Sequence, residues 1–184
     1  MSTESASLKM TADLKTNKQR MSEYKALALA FSYPDKEFLD FFPELSGDKE
    51  KLCREYDRLF RVKEIWLYGT EYISEHEFQR SNYLADISGF YKAFGLEINN
   101  DRPDSLEACL EFMHYLIFKE INAPSPEKAR ICLDAQRKFF NEYISLMAAK
   151  IAQAVIDQSQ EDFYRNAASC MLEFLAGEEE FFKQ

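Results

Sequence analysis

Apolar residues recur along this chain at intervals of three and four, the spacing of helices that bury one face. Met21, Tyr24, Leu27, Ala28 and Phe31 form the first such stripe and predict a helix from near Arg20 that stops ahead of Pro34. A short helix over Asp35 to Phe42 follows. Beyond Pro43 and Gly47 the stripe resumes with Leu52, Cys53, Tyr56, Leu59 and Phe60, predicting a third helix that ends near Arg61. Val62 to Ile73 has no clean period and reads as a loop. Ser74 with Glu77 has the form of a capping box, and Tyr83, Leu84, Ile87, Phe90, Tyr91 and Phe94 then carry a helix to Gly95, a natural residue just past a helix end.

Asp104 with Glu107 repeats the capping logic ahead of a helix whose buried face is Leu106, Cys109, Leu110, Met113, Leu116 and Ile117. Between these two helices, Leu96 to Pro103 is a polar, acidic loop. Ser125, Pro126 and Glu127 supply a cap, a first-turn proline and a first-turn acid for a long helix through Phe140, Tyr143 and Met147 to Val155, with room for a kink. Ser159 with Asp162 restarts the chain as a last helix, which Gly177 is expected to end. With no strand signal and no internal repeat, the pattern predicts an all-α, single-domain, multi-helix bundle over 19–184, preceded by a disordered tail over 1–18.

Composition agrees with this. Sixteen Phe and 10 Tyr against 5 Gly and 5 Pro describe a packed chain poor in turn formers. The net charge of −9 argues against nucleic acid and favours a cationic partner at the level of encounter. Cys53, Cys109, Cys132 and Cys170 are widely spread and read as free thiols of a reducing compartment. Residues 1–20 lack the apolar core of a secretory leader, and no apolar run reaches membrane-spanning length, so a cytoplasmic location without stable membrane insertion is expected.

Catalytic chemistry is sparse. The phosphate-cradling, dinucleotide-binding and nucleophile-elbow glycine motifs are absent from the sequence, and His76 and His114 are the only histidines. A carboxylate-bridged di-iron bundle needs two Glu-x-x-His pairs plus two further glutamates, and Glu111 with His114 supplies one pair. No catalytic residue, metal ligand or cofactor is therefore assigned. The irregular loop instead offers Trp66, the only tryptophan, and Tyr68 as contact residues, if it is not simply folded down over the core.

A family resemblance adds to this reading. Tyr56-Asp57-Arg58-Leu59-Phe60 resembles the aromatic-x-x-Leu-Phe helix end of the TorD/DmsD/NarJ family of molybdoenzyme maturation chaperones, also called redox enzyme maturation proteins. Tyr68-Gly69-Thr70-Glu71-Tyr72 is similar to that family's short aromatic loop, Phe90 to Leu96 to its Tyr-x-x-x-Gly-Leu helix ending, and Arg102 to Met113 to its Pro-Asp-His-Leu-x-x-x-Leu-Glu-Phe-Met string. Weaker echoes are Phe139 to Ile144 and Phe163-Tyr164. The chain departs where Ser105 stands for the family histidine, Leu67 for a proline, and Met147 for a frequent tryptophan.

The resemblance implies an all-helical chaperone, not an enzyme, that binds the N-terminal twin-arginine leader region of a molybdenum-containing oxidoreductase catalytic subunit. It would assist cofactor insertion and assembly before export, as monomer or homodimer. It makes Tyr56, Leu59 and Phe60 candidates for a groove floor, although their helical spacing equally suits core. Asp104, which has a sufficient job as a helix cap, and Ser105 become candidates by position. Glu107 and Glu111, a like-charged pair one turn apart that helix stability does not explain, are candidates for meeting an arginine head, and His114 is placed to pair with Glu111. Two alternatives stay open: a helical adaptor for a leaderless redox-enzyme subunit, and a metal-dependent bundle enzyme using Glu111 and His114.

Overall fold

The computed structural model describes residues 16–97 and 102–183. Its helices are α1 (Asn17–Ala30), α2 (Lys36–Phe41), α3 (Lys49–Asp57), α4 (Thr70–Ile73), α5 (Glu77–Ala93), α6 (Leu106–Ile121), α7 (Pro126–Phe139), α8 (Ser145–Gln158) and α9 (Asp162–Phe182). Among the described residues the one β pairing is an isolated antiparallel bridge between Tyr68 and Ser105. The chain is an all-α single-domain bundle. Residues 1–15 of the expected tail, 98–101 of the acidic loop and Gln184 lie outside the described residues.

Apolar stripes place the helices. Packing runs α1 along α6, α6 along α7, and α8 along α9. Leu110, Met113, Leu116 and Ile117 of α6 meet Met147, Ile151 and Val155 of α8 and Ala168 and Met171 of α9 in one core, all fully buried. Each of the leucine, isoleucine, valine and methionine side chains among them contributes on the order of 1.5–3 kcal/mol of burial.

Local signals set several ends. Thr16 caps α1 through a reciprocal capping box with Gln19, so the helix starts before the position the stripe suggested. Ser125 caps α7 by accepting from the Lys128 N–H, with Pro126 in the first turn, as expected. After α5, Gly95 takes φ 77° while Leu96 N–H donates to Tyr91 O and Gly95 N–H to Lys92 O, the paired bonds of a Schellman stop. The long helix is interrupted by a π-helical segment, Phe140–Ile144, joining α7 to α8. A second π segment, Arg58–Val62, ends α3.

Three sequence expectations are corrected. Ser74 is not the cap of α5: its N–H bonds back to Thr70 O, making it the C-cap of α4. His76 precedes α5 instead, and Gln79 Oε1 accepts from the Glu75 N–H. Ser159 does not cap α9. It terminates α8, and its side chain meets Glu55. Gly177 does not end α9, which runs to Phe182 because the turn after the glycine is anchored from outside the helix.

That anchor is a buried ion pair. Arg20 donates to Glu178 through Nε and Nη2 at 2.6 and 2.8 Å, and neither side chain is more than 2% exposed. Tyr24 Oη donates to the same carboxylate at 2.8 Å, Gln136 Oε1 accepts from Arg20 at 3.1 Å, and the guanidinium lies 3.8 Å from the Phe181 ring centroid. Each charge is therefore partnered, the condition under which a buried pair persists.

Candidate functional site

The chain between α3 and α4 is positioned by backbone bonds rather than by a regular element. Past the π segment the chain turns at Glu64, whose φ of 55° is rare for a side-chain-bearing residue, and Ile65 N–H closes the turn on Leu59 O at 3.1 Å. Ile65 goes into the core at 3% exposure, which leaves Trp66 on the outside at 42%. Further on, Leu106 N–H donates to Leu67 O and Gly69 N–H to Asp104 O, both at 2.8 Å. These two bonds frame the Tyr68–Ser105 bridge and lay the aromatic loop against the start of α6. A Cβ at position 69 would lie 2.7 Å from Met147 Sδ, so glycine permits the close approach without displacing that side chain.

Asp104 holds this junction from below. It is fully buried, and its Oδ2 accepts from Thr70 N–H at 2.9 Å and Thr70 Oγ1 at 2.7 Å. Arg102 adds two bonds, Nε to Oδ1 at 3.0 Å and Nη2 to Oδ2 at 2.8 Å. Burial raises the Asp104 carboxyl pKa, but these donors outweigh it and the net shift is downward. The expected cap role is thus corrected: Ser105 is the N-cap of α6, accepting from Ala108 N–H at 3.1 Å.

Two depressions open at this junction and share Tyr56, Leu67 and Tyr68. One, of about 290 Å³, is lined by those residues with Phe31, Arg102, Ser105, Glu107 and Glu111 among others. Its neighbour, of about 400 Å³, adds Phe60, Arg61 and Trp66. Tyr56 forms their common wall, edge-on to Phe60 at 4.7 Å and to Tyr33 at 5.3 Å. Burial, and next the Glu107 carboxylate, push the Tyr56 phenol up to about 12, so at neutral pH it is an uncharged hydrogen-bonding edge on an apolar wall.

The structure therefore brings together Tyr56, Phe60, Trp66, Tyr68, Ser105, Glu107 and Glu111 of the residues singled out from sequence. It separates two. Leu59 is fully buried in the core and Asp104 lies beneath the surface, and neither lines a depression. The pairing expected between Glu111 and His114 is absent. Glu111 receives Lys25 Nζ at 2.6 Å, and Lys25 also reaches Glu37 at 3.0 Å. His114 Nδ1 instead lies 2.9 Å from Met21 O, an acceptor that requires the proton on Nδ1.

Sequence reasoning missed Arg102 and Lys25, the cations that temper this rim. Arg102 stacks its guanidinium 4.2 Å from the Tyr68 centroid and also reaches Glu71 at 3.2 Å. No local pattern marks either residue, because Glu71, Thr70 and Tyr68 for Arg102 and Glu111 for Lys25 are distant in sequence. Cys109, under the junction, is fully buried, and burial raises its thiol to about 12, which suits packing rather than nucleophilic attack. Among the described residues no group of three or more His, Cys, Asp or Glu is placed to hold a metal ion. No described helix is long and apolar enough to cross a membrane.

Comparison with known proteins gives one family. No curated protein matches the chain. The family model described as nitrate reductase delta subunit matches residues 24–153, a span that contains both depressions, the aromatic loop and the start of α6. The chain belongs to the nitrate reductase delta subunit family, the NarJ/TorD-like family of molybdoenzyme maturation chaperones.

Proposed function

We propose that this chain is a cytoplasmic chaperone that binds the N-terminal leader region of a molybdenum-containing oxidoreductase catalytic subunit and holds it while the cofactor is inserted, before export. It acts by binding, without turnover. One observation carries the reading: two adjoining depressions with aromatic walls and a carboxylate rim, built where a loop meets a helix start inside the matched region. A leader has a cationic head and an apolar middle. Glu107 and Glu111 suit the head, while Tyr56, Phe60, Trp66 and Tyr68 suit the apolar part, the division of labour expected of a peptide groove. Leu59 and Asp104 act in this reading from underneath, by fixing the helix end and the loop.

Calorimetric titration of the purified chain with the N-terminal peptide of a molybdoenzyme catalytic subunit encoded beside it tests the proposal. Saturable binding that weakens with Glu107→Lys supports it, and no saturable heat with a folded chain refutes it. A second reading, an adaptor for a leaderless subunit, draws on the ion pair by which Lys25 neutralises Glu111 and reduces the negative rim. Co-purification with a catalytic subunit whose N-terminal residues have been deleted selects that reading instead.

A further inference from the structure

The contacts around Arg102 are those by which a protein recognises a guanidinium from another molecule. The side chain is held in a plane by an aromatic face, Tyr68 at 4.2 Å, and by a carboxylate engaged through two parallel bonds, Asp104 at 3.0 and 2.8 Å. Glu71 accepts at 3.2 Å and Thr70 Oγ1 at 2.6 Å. Fork-on-carboxylate geometry with stacking is specific to arginine, since an ammonium cannot engage two carboxylate oxygens in plane while lying flat on a ring.

Arg102 closes this cage toward the groove, with Asp104 and Thr70 buried beneath it. Arg102 keeps 34% of its side chain exposed, and it lines the same depression as Tyr68, Ser105, Glu107 and Glu111. Among the described lining residues it is the one cation. The two carboxylates of the cage, Asp104 and Glu71, are balanced by Arg102 and by Arg80, which reaches Glu71 at 2.9 Å. Without Arg102 the cage carries an uncompensated negative charge beside a free tyrosine face.

We propose that this cage is an arginine-recognition subsite which the chain's own Arg102 fills when the groove is empty, and which a ligand's arginine enters by displacing it. Arg102 is then a specificity-determining residue: it excludes weak cations, because only a guanidinium recovers every bond that its departure breaks. The inference rests on the groove being the ligand site and adds to that reading an internal competitor. A ligand that must displace an occupant binds with its intrinsic affinity reduced by the fraction of time the subsite stands open.

The test uses the full chain and its Arg102→Ala variant with two small probes, N-acetyl-arginine amide and N-acetyl-lysine amide, by calorimetry and thermal melting. The variant is expected to bind the arginine probe at least about tenfold more tightly than the parent chain does, and to prefer it to the lysine probe. Its melting temperature, lowered by the empty cage, rises with the arginine probe and less with the lysine probe. Equal affinity of parent and variant for the arginine probe, or no preference between probes in the variant, overturns the proposal. Arg102→Lys reports the same contrast should the alanine variant not fold, because the ammonium leaves most of the cage unsatisfied. The probes contain no leader, so a negative result removes the cage while the peptide titration stands. A positive one alongside absent leader binding removes the proposed client instead.

Discussion

Replacing Asp104 by alanine separates two roles that one carboxylate can have at a helix start. As an N-cap it would be worth about 1 kcal/mol. In the structure it is instead a fully buried anion with four hydrogen bonds, two from Thr70 and two from Arg102. Thr70 is 1% exposed, so its N–H cannot turn to water once the acceptor is gone, and an orphaned buried donor costs about 1–3 kcal/mol. Breaking a buried ion pair costs about 3–5 kcal/mol. Arg102 is a third exposed and retains Glu71, which places this case near the lower end. Together the loss should be about 3–4 kcal/mol, or roughly 6–15 °C in melting temperature for a domain of this size. Ser105→Ala, which removes the true cap, should cost only about 1 kcal/mol. Urea denaturation of the three chains, compared at equal m-values, gives both numbers. An Asp104→Ala loss within about 1 kcal/mol of the Ser105→Ala loss would refute the buried-clamp account, taking the cap estimate as the yardstick.

Further expectations follow from the same contacts. Trp66→Ala should lower stability by less than about 1 kcal/mol, because the ring is 42% exposed, while weakening peptide binding in the calorimeter; a large fall in melting temperature would make the ring core. Glu178→Ala should cost about 3–5 kcal/mol by stranding Arg20 in the interior, and the paired replacement Arg20→Met with Glu178→Leu should cost clearly less, both read by urea melts. Asp104 and Glu55 are carboxyls whose folded pKa lies below the ordinary value: burial raises each, but the bonds from Arg102 and Thr70, and from Arg58, Gln160 and Ser159, outweigh it. Depressed folded values stabilise the fold above an ordinary carboxyl pKa of about 4 and cease to as pH falls through the folded values below it. Stability should therefore drop below about pH 4, and Asp104→Asn should flatten that part of the profile.

Much of the fold was written in local spacing. The stripes from Met21 to Phe31 and from Leu106 to Ile117 needed only a period of 3.6 residues, and the Ser125-Pro126-Glu127 and Gly95 signals act within one turn. Misreadings arose where a distant partner overruled a local preference. Gly177 sits inside α9 because Glu178 is fixed by Arg20 from the far end of the chain, and Ser159 turns its hydroxyl to Glu55 rather than to the next helix. Asp104 and Ser105 exchanged roles because Thr70, some thirty residues earlier, claims the aspartate, roughly the reach of a non-local contact rather than a turn.

The candidate site was legible to the same extent. Trp66 and Tyr68 stood out because their segment lacks a period, and both do line the depressions. Leu59 could not be told from Phe60 by spacing, since one is sealed in the core and the other reaches the groove from the same π segment. Glu111 looked like an open charge because Lys25 lies on another helix. Arg102 stood within the string that suggested the family, yet its cage is assembled from Tyr68, Thr70 and Glu71 across a loop.

The central claim, that a client segment seats in the groove walled by Tyr56, Trp66 and Tyr68, has a built-in reporter. Trp66 is the sole tryptophan and lies at the groove edge, partly in water. Titration with a tryptophan-free N-terminal peptide of the client subunit should give a saturable blue shift of its emission, with the same midpoint as the calorimetric isotherm. Saturable calorimetric binding that leaves the Trp66 emission unmoved would place the client elsewhere on the molecule and contradict the account.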